Sequence, residues 1–180
     1  MSDVVAYVDG GSLGNPGPSG IGVVLDRTEG PTIRIAKWIG RQDNNVAEYV
    51  ALLEALQCAL TLKAVKLHVY SDSEVVVRQM NGDYICRSPR LYSLHWICRK
   101  LAHSFDFSIS HIRREQNTEA NRLANSAVRR SPDQPSPVHQ ISLLGAEEIL
   151  PGSQSRRTIC DLQLQPSSPY QYEAFPTWWR

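Results

Sequence analysis

Cysteine is scarce in this chain: four in 180 residues, Cys58, Cys86, Cys98 and Cys160, with no CxxC pair among them. That spacing supplies neither a zinc site nor a disulfide framework. Long apolar runs are missing as well. No stretch approaches the roughly 20 residues a bilayer crossing needs, and no charged-then-apolar leader opens the sequence, so a cytosolic protein without membrane association is expected. An excess of one charge is also lacking, with Lys+Arg 19 against Asp+Glu 18. Bulk charge therefore names no partner. The composition excludes collagen-like repeats, coiled coils and disorder over most of the chain. With 42% hydrophobic residues, there is enough to bury one ordinary core.

What is present is unevenly spread. Residues 131–180 hold seven of the eleven prolines, seven serines and six glutamines, with three basic and five acidic side chains. This composition lacks the apolar periodicity of a second core. Residues 1–130 are thus the expected domain and 131–180 an extension. Within the extension, Ile141–Leu150 is helix-like and the end carries Tyr170, Tyr172, Phe175, Trp178 and Trp179. Such an aromatic end is expected to pack on its own domain or to dock a partner. A monomer is expected.

Periodicity places the elements of the domain. Val4–Val8 reads as a buried central strand, and Ile21–Leu25 as its antiparallel neighbour across DGGSLGNPGPSG. Ile33, Ile35 and Trp38 mark a third strand. Val46–Leu60 has helical spacing, with Asn45 and Glu48 as a cap and its N3 partner. Val65–Tyr70 is a fourth strand leading through Ser71-Asp72 into a helix to about Met80. Leu91–Ser104 is helical, Phe107–Ile112 a fifth strand, and Thr118–Arg129 a closing helix. The expectation is an α/β fold: a five-stranded mixed sheet flanked by helices, with a C-terminal extension.

Three acids then stand out by position. Asp9 directly follows the first strand, Glu48 lies in the first turn of the first helix, and Asp72 follows the fourth strand. Singly, each has an ordinary reading: a turn residue, a capping-box residue, an N-cap. Jointly, they can converge at the edge where open α/β sheets place ligands. Converging carboxylates repel unless a cation lies among them, and an oxygen-only set favours Mg²⁺ or Mn²⁺.

The ordered segments YVDGGSLGNPGPSGIG, NNVAEYVALLEAL, VYSDSEVVVRQMNGDY and HIRREQNTEANRLAN give the sequence over about residues 3–130 a clear likeness. It resembles type 1 ribonuclease H, of the bacterial or archaeal type. The stretch from Gln79 to Arg90 runs directly into the next helix, so the basic handle of some members is absent. The resemblance implies a ribonuclease H-like fold and hydrolysis of the RNA strand of RNA/DNA hybrids. It further implies two divalent ions, Mg²⁺ or Mn²⁺, and 5′-phosphate and 3′-hydroxyl ends. Carried over by position, Asp9, Glu48, Asp72 and Asn121 hold metal, and Arg114 assists turnover, with His111 a nearby rival. Gly10, Gly11, Ser12, Asn44, Asn45 and Glu74 would read the 2′-hydroxyls of the RNA strand, and Asn15 would grip a DNA phosphate.

Two departures from the family pattern are visible. The last motif, usually Asn-x-x-Ala-Asp, ends here in Asn121, which carries no charge. Glu119 is two positions away on the helix and is expected to point elsewhere. Asp43 stands where Thr is frequent and would repel a phosphate. A hybrid-binding or scaffold module with a weakened or inactive nuclease site is therefore the alternative reading. Arg78, Arg87, Arg90, Arg99 and Lys100 fall in the helix pair where the handle would lie, either as a solvated face or to steer the hybrid.

Overall fold

A computed structural model describes residues 3–129. The chain divides into units 1–142 and 143–180, and the described residues all belong to the first. The expected tail, 131–180, with its helix-like piece and aromatic end, lies outside the described residues.

The elements run β1 (Asp3–Ser12), β2 (Gly17–Arg27), β3 (Ile33–Gln42), α1 (Asn44–Thr61), β4 (Lys66–Ser71), α2 (Glu74–Asn81), α3 (Pro89–Ala102), β5 (Asp106–His111) and α4 (Thr118–Val128). A short 3-10 turn, Arg114–Gln116, precedes α4. Each strand and helix expected within residues 3–129 forms, with ends shifted by a few residues. The largest shifts lengthen β1 to Ser12, β2 back to Gly17 and β3 to Gln42, because hairpin pairing extends beyond the apolar stretches. The five strands form one mixed sheet in the order β3-β2-β1-β4-β5. β1 is antiparallel to β2 and parallel to β4, and β4 is parallel to β5. Among the described residues no helix is long and apolar enough to cross a membrane.

The alternation of β1 buries Val4, Ala6 and Val8 on one face, where they meet Leu52, Ala55, Leu56 and Ala59 of α1. Tyr49 of α1 is fully buried, and its hydroxyl donates to Gln79 Oε1 of α2 at 2.7 Å. His95 Nδ1 of α3 lies 3.1 Å from the same oxygen, so one phenol ties three helices. The opposite face carries α4. A Cβ on Gly22 of β2 would lie 2.0 Å from the Ala120 carbonyl oxygen, so only glycine lets α4 settle this close.

Both helix starts nearest the sheet's edge differ from the sequence expectation. Asp43, not Asn45, caps α1: its side chain accepts the Val46 N–H at 2.9 Å. Ser73, not the Ser71-Asp72 pair, is the N-cap of α2. Each shift has a functional result. Glu48 and Asp72 are released from capping and face the same cleft.

Candidate metal centre and active-site cleft

Strand register brings the first two acids together. Val8 and Ser71 are the last paired residues of the parallel strands β1 and β4, so Asp9 and Asp72 follow side by side. Glu48 arrives from α1. A Cβ on Gly10 would lie 2.2 Å from the Ala47 carbonyl carbon, and this glycine contact lets the helix reach the strand. The Gly10 N–H then donates to Glu48 Oε2 at 3.1 Å, orienting that carboxylate.

The three carboxylates each offer an oxygen within 4.8 Å of the others. Asp9 is 4% exposed and Glu48 6%. Burial, and then the charge of Asp72, raise the Asp9 carboxyl from 3.8 to about 7, while Arg114 and the Asn121 amide pull the other way. Burial, and then Asp9 and Asp72, push Glu48 well above its ordinary range. Like charges packed this closely out of water are costly without a counter-cation. The donors are all hard oxygens and converge on one point, which fits a divalent ion of the Mg²⁺ or Mn²⁺ class.

Around the acids lies a cleft of about 340 Å³, lined also by Gly10, Gly11, Ser12, Asn44 and Arg114. Those five expectations therefore fall at the cleft. Asn15 stands beside it, its Oδ1 accepting the Asn44 N–H at 3.2 Å. Asn45 and Glu74 are exposed and do not line it, and Glu74 pairs instead with Arg78 at 2.7 Å. His111 Nε2 lies 3.3 Å from the Asp72 carbonyl oxygen, outside the cleft lining that Arg114 joins. Glu119 does point elsewhere, to Arg34 at 2.6 Å. Asp43 approaches Arg90 at 3.5 Å, so its charge is partly met within the fold.

Sequence reasoning placed Asn121 at the site but missed Asn117, the N-cap of α4, and Asn125. Asn117 is buried, and its amide donates to the Val8 carbonyl at 2.8 Å and to Asp72 Oδ1 at 2.9 Å. Asn121 Nδ2 donates to Asp9 Oδ2 at 3.2 Å. Asn125 also lines the cleft and holds the Asn121 side chain. The signal was there: asparagine at 117, 121 and 125, one helical turn apart, marks one face of α4.

A cluster of three carboxylates borne by β1, α1 and the end of β4, on a mixed five-stranded sheet flanked by helices, defines a fold and site of the ribonuclease H-like class. Residues 7–127 match the family described as reverse transcriptase-like, and the chain belongs to that family, in its ribonuclease H1 branch. It is similar to ribonuclease HI of Halobacterium salinarum, 39% identical over 127 residues, covering 69% of this chain and 64% of that one. The crystal structure of RNase H1 from the same archaeon superposes with a TM-score of 0.67 at 38% identity, covering 70% of this chain and 97% of that one. LC11-RNase H1, solved in complex with an RNA/DNA hybrid, gives 0.65 at 38% identity, covering 70% and 96%. A bifunctional protein of Mycobacterium tuberculosis is 41% identical over 128 residues, but the match spans only 35% of its length.

Proposed function

We propose that this chain hydrolyses the RNA strand of RNA/DNA hybrids, leaving 5′-phosphate and 3′-hydroxyl ends. The observation that carries the reading is the convergence of Asp9, Glu48 and Asp72 within 4.8 Å, in a fold shared with an RNase H1 solved on a hybrid. Two divalent ions, when bound, would supply Lewis acidity toward the attacking water and the departing sugar oxygen. Asp9, Glu48 and Asp72 would hold them. The Gly10 N–H keeps Glu48 turned inward, and Asn117 does the same for Asp72. Arg114 places a cation at the cleft wall, suited to a scissile phosphate or a departing product. Gly10, Gly11, Ser12 and Asn44 offer backbone and side-chain groups to 2′-hydroxyls, which both donate and accept. Asn15, beside Asn44, is placed for a DNA-strand phosphate.

The test is incubation of labelled RNA/DNA hybrid, duplex DNA and duplex RNA with the chain in Mg²⁺ or Mn²⁺. Cleavage of the RNA in the hybrid alone is expected. Asp9→Asn and Asp72→Asn should each lose more than tenfold, about 1.4 kcal/mol of barrier or more. Retention of over a tenth of the activity in both variants would place the chemistry elsewhere. A second reading, a hybrid-binding module with a weak nuclease site, is favoured by the neutral Asn121 beside Asp9. Hybrid binding with no cleavage in either metal would select it.

A further inference from the structure

We propose that Asn125 is a positioning residue for the metal centre, acting through Asn121 to fix which atom of that amide faces Asp9. The proposal rests on the reading of Asp9, Glu48 and Asp72 as a divalent-ion site. Asn125 Nδ2 donates to the Asn121 main-chain carbonyl at 3.0 Å and to Asn121 Oδ1 at 2.8 Å. Asn121 Nδ2 in turn donates to Asp9 Oδ2 at 3.2 Å. The direction of this chain is set at both ends. A main-chain carbonyl only accepts, so the Asn125 atom beside it is nitrogen. That nitrogen requires an acceptor on Asn121, which is Oδ1, and the remaining Asn121 nitrogen meets the Asp9 carboxylate.

The consequence is chemical. With Oδ1 engaged by Asn125, Asn121 presents an N–H to the acidic cluster and no oxygen. It therefore orients Asp9 instead of serving as a fourth ligand. Turning the amide to offer oxygen would break the Asn125 bond and set two acceptors, Asn121 Oδ1 and Asp9 Oδ2, against each other.

Calorimetric titration of the full chain with Mg²⁺ alone, without nucleic acid, tests the coupling. Asn125 is exposed on α4, so Asn125→Ala should fold, with unchanged melting as the control. Asn125→Ala and Asn121→Ala should each weaken Mg²⁺ binding by about fivefold, and the double variant should be no weaker than either, as residues acting in one chain do. The Asn121 side-chain NH₂ signals should also shift in Asn125→Ala by nuclear magnetic resonance. Wild-type affinity in Asn125→Ala alongside a loss in Asn121→Ala would overturn the proposal, as would fully multiplicative losses. A wild-type chain that binds no Mg²⁺ counts against the metal reading. The amide signals then decide alone, and their constancy in Asn125→Ala overturns the coupling.

Discussion

Asn121 is the residue at which the acidic cluster departs most from the family pattern. Three carboxylates face the cluster, and the fourth position supplies an amide N–H. Asn121→Asp would add a charge while keeping an oxygen for the Asn125 N–H to donate to. Mg²⁺-supported cleavage of a hybrid is expected to rise about tenfold if that charge adds ~1–2 kcal/mol to ion binding. Initial rates across a Mg²⁺ and Mn²⁺ titration measure this, and identical curves for the two forms would show that position 121 is remote from the ions. Asp43 illustrates the opposite case, a departure from the family pattern that the fold absorbs. Its carboxylate caps α1 and lies near Arg90, so much of its field is spent within the protein.

At the scale of elements, the site depends on how closely helices approach the sheet. Gly10 admits α1 and Gly22 admits α4, each at distances no Cβ tolerates. Gly22→Ala should push α4 outward, with the Asn117 and Asn121 amides that touch Asp72 and Asp9. A loss of about 2–3 kcal/mol in urea denaturation is expected from such overpacking, with cleavage falling further than stability alone explains. Full activity with native stability would mean that α4 adjusts freely and that its asparagines do not position the acids. The α2–α3 connection shows a different economy. Gly82 ends α2 with φ 87°, and α3 begins at Pro89, so no handle intervenes. Of the basic residues there, Arg78 pairs with Glu74 and lies over Tyr84, Arg99 donates to the Met80 carbonyl at 3.3 Å, and Lys100 lies over Trp96. The Arg78–Glu74 pair is exposed and adds little stability, and Arg99 and Lys100 are exposed as well.

For the whole molecule, the buried acids tie stability to pH. The folded chain holds the Asp9 proton to about pH 7, where the unfolded chain releases it near 3.8. Between those values the folded state binds more protons, so metal-free stability falls as pH rises and levels off above about 7. The penalty at pH 8 is at most about 4 kcal/mol. Melting in chelator should therefore occur at higher temperature at pH 5 than at pH 8, and Mg²⁺ should raise it more at pH 8. A Mg²⁺ effect equal at both pH values would detach the ion from these carboxylates. Truncation after Arg130 is expected to leave hybrid cleavage intact, because Asp9, Glu48, Asp72 and Arg114 all lie within 3–129. Loss of cleavage in the truncated chain would bring residues 131–180 into the reaction.

Local pattern determined much of this protein. Strand alternation, helical spacing and the acids at element ends were legible because side-chain direction follows backbone period, and they sufficed for the five strands, four helices and the three carboxylates. The helix starts were legible only in part. Asn45 and Glu48 satisfy a capping pattern as well as Asp43 does, and the choice fell to the partner across space: the Gly10 N–H takes the Glu48 carboxylate. The asparagines of α4 were readable as a face but not as a support. Which amide atom meets Asp9 depends on a carboxylate 112 residues away in sequence and on Asn125 one turn along. Hydrogen-bond direction is set by both partners at once, so only the tertiary structure could decide it.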